Sequence, residues 1–476
     1  MGQQNIVKEP IRRPNNRPPI KKKWRLKKKF KRNMLLLLII FLLFAVVKAI
    51  VSDAKENQKS GIANNNYSQQ TANLQSLKCL DDIKGFSVKI DKYFIYGTHL
   101  NAEGSLDIPN KYRVKNASIV LRKDDGKEQE YAINYKINGN KLDFKASDKI
   151  NQGIYLDEIG KGDYYLLLKL LYDDNSSQYF SLENNTKYKN TQYYTVTKNR
   201  SNRKIDIFSG NYKEKNTPYF MLSVKKSKLP DDVYDIVIDA GHGGKDTGAS
   251  YGQYCEADIT IKYAKELKVA LEKRGLKVKM TRQGDEDKNS TAYSAFSADG
   301  RVNKSCGSRA KYCFSIHLNS AEQKLEKGGL QIYCNANMDT SFAENMAREI
   351  VKSTGMEYSP MVASKVADGV YCRNFSKSEI ASSNATTKFE PYNITQDTNY
   401  YFIIRELGGI ATNAYMDGRN PKYGKNDYCD SNVGIESYLL EMGYIIVDKD
   451  LDIILNEQKS YVKALAKQIE KEVGIR

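Results

Sequence analysis

The sequence predicts an α/β domain with a mainly parallel sheet and flanking helices over residues 233–476. An all-β sandwich-like module over 79–227 and an N-terminal transmembrane helix over 34–51 are expected before it. Three observations predict this. Strand-like and helix-like periods alternate from Tyr234 onward. Short Tyr- and Val-rich runs broken by turn clusters fill the stretch from Cys79 to Ser227. An unbroken apolar run extends from Met34 to Val47.

In chain order, residues 1–33 are crowded with Lys and Arg and carry Pro10, Pro14, Pro18 and Pro19. Such a stretch buries too little apolar surface to offset its ordering entropy, so a disordered cytoplasmic tail is expected. The chain has 75 Lys and Arg against 57 Asp and Glu, a net of +18, and most of that surplus lies in this tail. A nucleic-acid-binding fold is therefore excluded as the first reading. Beyond Val47, Lys48 can snorkel and Ala49 to Val51 complete a segment about the length of a short membrane helix. The positive flank on its N-terminal side keeps the tail inside and places everything after Ser52 outside. A signal peptide cleaved near Ser52-Asp53-Ala54 is the alternative, which would make the protein secreted. Either reading exports the rest. Residues 52–78, rich in Asn, Gln and Ser, read as a linker. The seven cysteines form no Cys-x-x-Cys pair, so neither a zinc ribbon nor a redox motif is expected, and any disulfide pairing is left open.

Within 79–227 the runs Phe86 to Ile90, Ala117 to Arg122, Tyr131 to Ile137, Tyr164 to Tyr172 and Gln178 to Leu182 read as strands. Asp124-Asp125-Gly126 and Asn138-Gly139-Asn140 are turns between them. In the C-terminal half, strands are expected at Tyr234 to Asp239, Lys277 to Arg282, Cys313 to His317, Leu330 to Tyr333, Tyr400 to Glu406 and Tyr438 to Tyr444. Helices are expected at Ala257 to Lys273, Asp339 to Ser353 and Ser460 to Val473. Sheets of this kind collect their sites at the carboxyl ends of strands.

Polar residues stand at those ends. His242 follows the first strand inside Asp239-Ala240-Gly241-His242-Gly243-Gly244, His317 closes the strand Cys313 to His317, and Glu441 is an acid inside Leu439-Leu440-Glu441-Met442. Glu256 starts the helix after His242. Two histidines and a glutamate make a ligand set for a catalytic zinc that leaves a fourth position to water. A further carboxylate near that water can serve as general base. Each residue has a plainer reading: Glu256 as an acid favoured at a helix N-terminus, Glu441 as a structural acid, His242 as a turn residue. His99 reads as a packing or surface residue. The joint placement of both C-terminal histidines at strand ends favours the metal.

The ordered set Asp239 to Ala249, Glu256, Thr281-Arg282 and Ser315 to Ser320 resembles the zinc-dependent N-acetylmuramoyl-L-alanine amidases, the type 3 amidases of bacterial cell walls. The resemblance covers residues 233–476. It implies one zinc held by His242, Glu256 and His317, and Glu441 as the catalytic glutamate. It implies peptidoglycan as substrate, cut at the amide between N-acetylmuramic acid and the first L-alanine of the stem peptide. Asp239 would then support a ligating histidine from behind. A departure follows Gly443-Tyr444, where Ile445-Ile446-Val447-Asp448 replaces the family's small-residue-Asn ending. The Gly- and Asn-rich stretch 407–435 reads either as a surface loop or as a lid over the metal. Two further readings stand beside the membrane-anchored amidase: a non-catalytic wall-binding or scaffolding protein, and a zinc hydrolase of another exported amide.

Overall fold

The computed structural model describes residues 87–108, 113–195, 202–212, 217–284, 294–295, 297, 299–323, 325–385, 394–414 and 430–473. The expected tail, membrane helix and linker lie outside these residues. Both sheets belong to one compact unit, Ser76–Arg476.

The first region contributes β1 (Ser87–Tyr96), β2 (His99–Asp107), β3 (Val114–Lys123), β4 (Glu128–Ala132), β5 (Asn134–Asn138), β6 (Lys141–Lys145), β7 (Ile154–Tyr155), β8 (Gly162–Tyr172), β9 (Ser177–Asn184), β10 (Asn190–Tyr194), β11 (Arg203–Tyr212) and β12 (Thr217–Lys226). Their main path runs β10-β11-β12-β8-β9-β1-β2-β6-β5. The expected run Tyr131 to Ile137 is split at Ile133 between β4 and β5. The predicted turns close hairpins, with Gly126 and Gly139 at φ 82° and 60°, where an L side chain would be strained.

The second region contributes β13 (Ile236–Ala240), the small hairpin β14 (Ser250–Tyr251) and β15 (Tyr254–Cys255), β16 (Val278–Met280), β17 (Tyr312–Asn319), β18 (Gln331–Tyr333), β19 (Lys365–Ala367), β20 (Val370–Tyr371), β21 (Val433–Gly434) and β22 (Glu436–Tyr444). The helices are α1 (Glu256–Glu272), α2 (Arg301–Cys306), α3 (Ser341–Thr354), α4 (Lys377–Ala385), α5 (Phe402–Leu407), α6 (Asp448–Asn456) and α7 (Gln458–Glu472). The seven-stranded sheet has the order β16-β13-β17-β22-β18-β20-β19. Its central strands β13, β17 and β22 are buried on both faces, which is why they read as apolar runs rather than alternations. Ile236, Ile238, Phe314 and Leu440 pack under α1, α3 and α7, whereas Val237, Cys313 and Leu439 pack under α2 and α5.

The expected fold class needs correction. The described chain is mixed α/β with large sheets, and no helix among the described residues is long and apolar enough to cross a membrane. The C-terminal sheet is parallel from β16 to β22, and again between β18 and β20. β18 runs antiparallel to β22, and β19 antiparallel to β20. Nor is the first region a sandwich standing apart. β21, from the C-terminal half, adds to β1 in parallel, pairing Ile95 with Val433 and Tyr96 with Gly434. β1 is buried on both sides: Tyr93 and Ile95 enter the core of the first sheet, and Phe94 and Tyr96 enter the core of the second. Tyr96 donates to Met338 Sδ and accepts from the Ser437 amide. A further correction concerns Tyr400 to Glu406, which is helix α5 from Phe402 rather than a strand. Its Ile403, Ile404 and Leu407 cover β22, so burial outweighs the β-branched preference.

Candidate functional site

The parallel pairing of β13 with β17 sets Asp239 opposite Ser315 and Ala240 opposite Ile316, so both chains leave the sheet side by side. The Gly241 amide donates to the Ile316 carbonyl at 2.9 Å, which brings the next residue, His242, beside His317. A Cβ on Gly241 would lie 2.4 Å from His317 Cε1, so only glycine permits this approach. His242 itself adopts a left-handed backbone, φ 59°, which is uncommon for a residue with a side chain. The chain then loops back through Gly248 (φ 65°), where a Cβ would meet Glu256 Oε2 at 2.6 Å and His242 Cδ2 at 2.7 Å.

Glu256 opens α1, where the helix dipole favours an acid, and it is almost fully buried. Its Oε2 accepts from the Ala249 amide at 3.1 Å and lies 3.1 Å from His242 Nε2. Its Oε1 accepts from the Leu318 amide at 2.8 Å and lies 3.0 Å from His317 Nδ1. Candidate ligand atoms of His242, Glu256 and His317 all fall within 4.8 Å of one another. Burial pushes the Glu256 carboxyl up, but the two histidines outweigh it and hold the group well below the usual carboxylate range. Burial lowers His242, while Glu256 and Asp246 more than reverse this, so its pKa is raised.

Glu441 stands in register with His317 on one side and with Gln331 on the other. The residue keeps some exposed surface, yet its Oε2 is sealed from solvent without a hydrogen-bond partner. Burial, with the Glu256 charge adding to it, pushes its pKa up to about 8. The four residues singled out in the sequence therefore meet at one end of the sheet. The other histidine does not join them: His99 stacks on Tyr155 in the first region.

A protein-family model described as N-acetylmuramoyl-L-alanine amidase matches residues 236–473. The chain belongs to this amidase family. It is 35% identical over 104 residues to the "Germination-specific N-acetylmuramoyl-L-alanine amidase" of Bacillus subtilis, covering 21% of this chain and 44% of that protein. It is 51% identical over 63 residues to "Probable cell wall amidase LytH" of Staphylococcus aureus, covering 13% of this chain and 22% of that protein. The chain thus spans less than half the length of these curated relatives. Among solved structures it is similar to "N-acetylmuramoyl-L-alanine amidase AmiC2 of Nostoc punctiforme", at 20% identity and TM-score 0.33, over 51% of this chain and 98% of that one.

Asp239 does not support a histidine in this amidase-family chain. It is fully buried and accepts from Thr281 Oγ1 (2.8 Å), Ser315 Oγ (2.7 Å) and Arg301 Nη1 (2.6 Å), tying three strands and α2 together behind the site. The residue facing His242 Nδ1 is Asp246, at 2.9 Å, four positions along in the same glycine loop. Its spacing was visible in the sequence, and its role was not assigned there. Gln331 was also missed. Fully buried beside Glu441, it accepts from Asn319 Nδ2 (2.6 Å) and Tyr333 Oη (2.9 Å) and donates to Ser359 Oγ (2.8 Å) and Tyr444 Oη (3.2 Å). Its carboxamide is fully satisfied, which fixes the two phenols and Asn319 around the glutamate. The signal was a lone amide inside the apolar run Leu330 to Tyr333. The Ile445-Ile446 ending continues by donating the Ile445 amide to the Asn319 carbonyl at 2.9 Å.

Of the stretch considered as a lid, residues 415–429 lie outside the described residues. Its described ends meet the sheet at the start of β22. Ile410 donates to the Ser431 carbonyl, β21 pairs with β1, and Glu436 begins β22 opposite Tyr312, five residues before Glu441.

Proposed function

We propose that the chain is a peptidoglycan hydrolase that cleaves the amide between N-acetylmuramic acid and the L-alanine of the stem peptide, working outside the cytoplasmic membrane where that polymer lies. The observation that carries this reading is Glu256 spanning two imidazoles, with an unpartnered Glu441 oxygen in register with one of them. The donor set of two imidazoles and one carboxylate suits zinc, and the glycines at 241 and 248 leave the space that the ligands need. A zinc ion held by His242, Glu256 and His317 would lower the pKa of a water and polarise the amide carbonyl.

The chain's own residues supply the rest. Asp246 orients the His242 ring through Nδ1 and leaves Nε2 to face the centre. Glu441 takes the water's proton on Oε2 and returns it to the departing alanine amine, a task that suits a carboxyl raised toward neutrality. Gln331 keeps Tyr333, Tyr444 and Asn319 from collapsing onto that carboxyl.

Mass spectrometry of peptidoglycan digested by the purified protein tests the assignment. Intact stem peptides with a free L-alanine amine, released only by metal-loaded protein, are expected. Cleavage elsewhere in the stem would make the chain a hydrolase of a different amide. No release, together with retained wall binding, would leave a scaffold.

A further inference from the structure

β18 and β20 run parallel, with Ile332 opposite Val370 and Tyr333 opposite Tyr371. The next residue on each strand is a cysteine, and the Cys334 amide continues the ladder by donating to the Tyr371 carbonyl at 3.1 Å. The two Sγ atoms are 3.6 Å apart. Cys334 is fully buried, whereas Cys372 keeps part of its surface open. Among the other described cysteines, Cys255 is half-buried and Cys306 and Cys313 are buried. Neighbouring positions on parallel strands meet the backbone spacing a disulfide needs, and the sulfurs would have to close by only about 1.6 Å to reach bonding distance.

We propose that Cys334 and Cys372 are a disulfide-forming pair, cross-linked when the folded chain meets an oxidising disulfide. Cys372 reacts first because it is the more exposed residue of the two. Its thiolate attacks one sulfur of the incoming disulfide, forms a mixed disulfide and releases one thiol. Cys334 then loses its proton and displaces the second thiol from Cys372. Two cysteine thiols are oxidised, the co-reactant is reduced to two thiols, and the protons pass to them. The contact with the Cys334 thiol lowers the Cys372 pKa, which favours the opening step. The covalent loop encloses α3 and the β19–β20 hairpin, and it fastens β20 to the strand that carries Gln331 and Tyr333 beside Glu441. This inference does not depend on the amidase reading.

The test uses the whole chain, purified under reductant and then equilibrated with oxidised glutathione. Free thiols are alkylated after acid quenching and unfolding, and the digest is mapped without reductant. The expected result is one cross-linked peptide pair joining Cys334 to Cys372, lighter by two hydrogens than its parts and lost on adding dithiothreitol. In the Cys372→Ser chain, Cys334 should then be alkylated in full. Alkylation of both sulfurs in the oxidised wild type, a glutathione adduct that stays on Cys372, or a bridge from either one to another cysteine would each overturn the proposal.

Discussion

Glu441 and Asp239 are both acids on sheet strands, yet their surroundings give them opposite behaviour. Asp239 is ringed by three donors, one of them a guanidinium. Burial pushes it up, but Arg301 and the other donors outweigh that and its pKa falls. Glu441 has an oxygen with no donor, so burial, reinforced by the Glu256 charge and only partly opposed by His242, raises it. Exchanging Glu441 for Gln is expected to lower kcat for wall digestion roughly 10²- to 10⁴-fold. Zinc stoichiometry by elemental analysis should stay unchanged, because the residue is not among the proposed ligands. Replacing Asp239 by Ala removes the buried carboxylate that Arg301, Thr281 and Ser315 share, and a loss of about 3–5 kcal/mol in chemical denaturation is expected. That places the defect of Asp239→Ala in stability and that of Glu441→Gln in turnover.

At the level of elements, the glycine loop between β13 and α1 is the sharpest case. A methyl group at Gly248 would intrude on Glu256 and His242 while its backbone sits at φ 65°. Gly248→Ala should therefore cost about 1–3 kcal/mol in strain and weaken metal retention on dialysis against a chelator. Gly252 has a similar φ of 58°, but nothing stands near its Cβ, so Gly252→Ala should reproduce the strain without the metal loss. The loop was legible in the sequence because its glycines, His242 and Glu256 are close together and need only a local turn to meet. β13, β17 and α1 were legible for a related reason: short apolar runs and, in α1, a helical period report burial directly. Helix α5 was misread because Tyr-Tyr-Phe-Ile-Ile is apolar throughout and has no period to distinguish strand from helix. Gln331 escaped because a buried amide only acquires meaning once Asn319, Tyr333, Ser359 and Tyr444 surround it, and all of these but Tyr333 are distant in sequence.

On the scale of the whole molecule, the two sheets are joined by largely buried polar groups. Asn151 accepts from the Asp339 amide at 2.7 Å and donates to Glu436 Oε1 at 3.2 Å, and Tyr438 donates to the same oxygen. Burial pushes Glu436 up to about 8. The folded chain thus binds a proton there that the unfolded chain has already released above its ordinary carboxylate pKa. Stability from this group is complete below about pH 4.5 and falls as pH rises toward 8. Glu436→Gln keeps an oxygen for both donors and removes the titration, so its thermal midpoint should decline less than that of the wild type between pH 5 and 8. A parallel decline in both proteins would refute the assignment. Strand-rich stretches before Ser227 and strand–helix alternation after Tyr234 were separable by their sequence patterns. Their union was not legible there, because β1 looks like any buried strand until its even and odd residues are seen to enter different cores.

The insertion of Val433–Gly434 beside β1 has a consequence for the order of synthesis. Until those residues leave the ribosome, one edge of the nascent N-terminal sheet at Ile95 and Tyr96 has no neighbour, an interval of roughly twenty to seventy seconds at typical elongation speeds. During that time the newborn polypeptide offers an open strand to chaperones, or to other copies of itself.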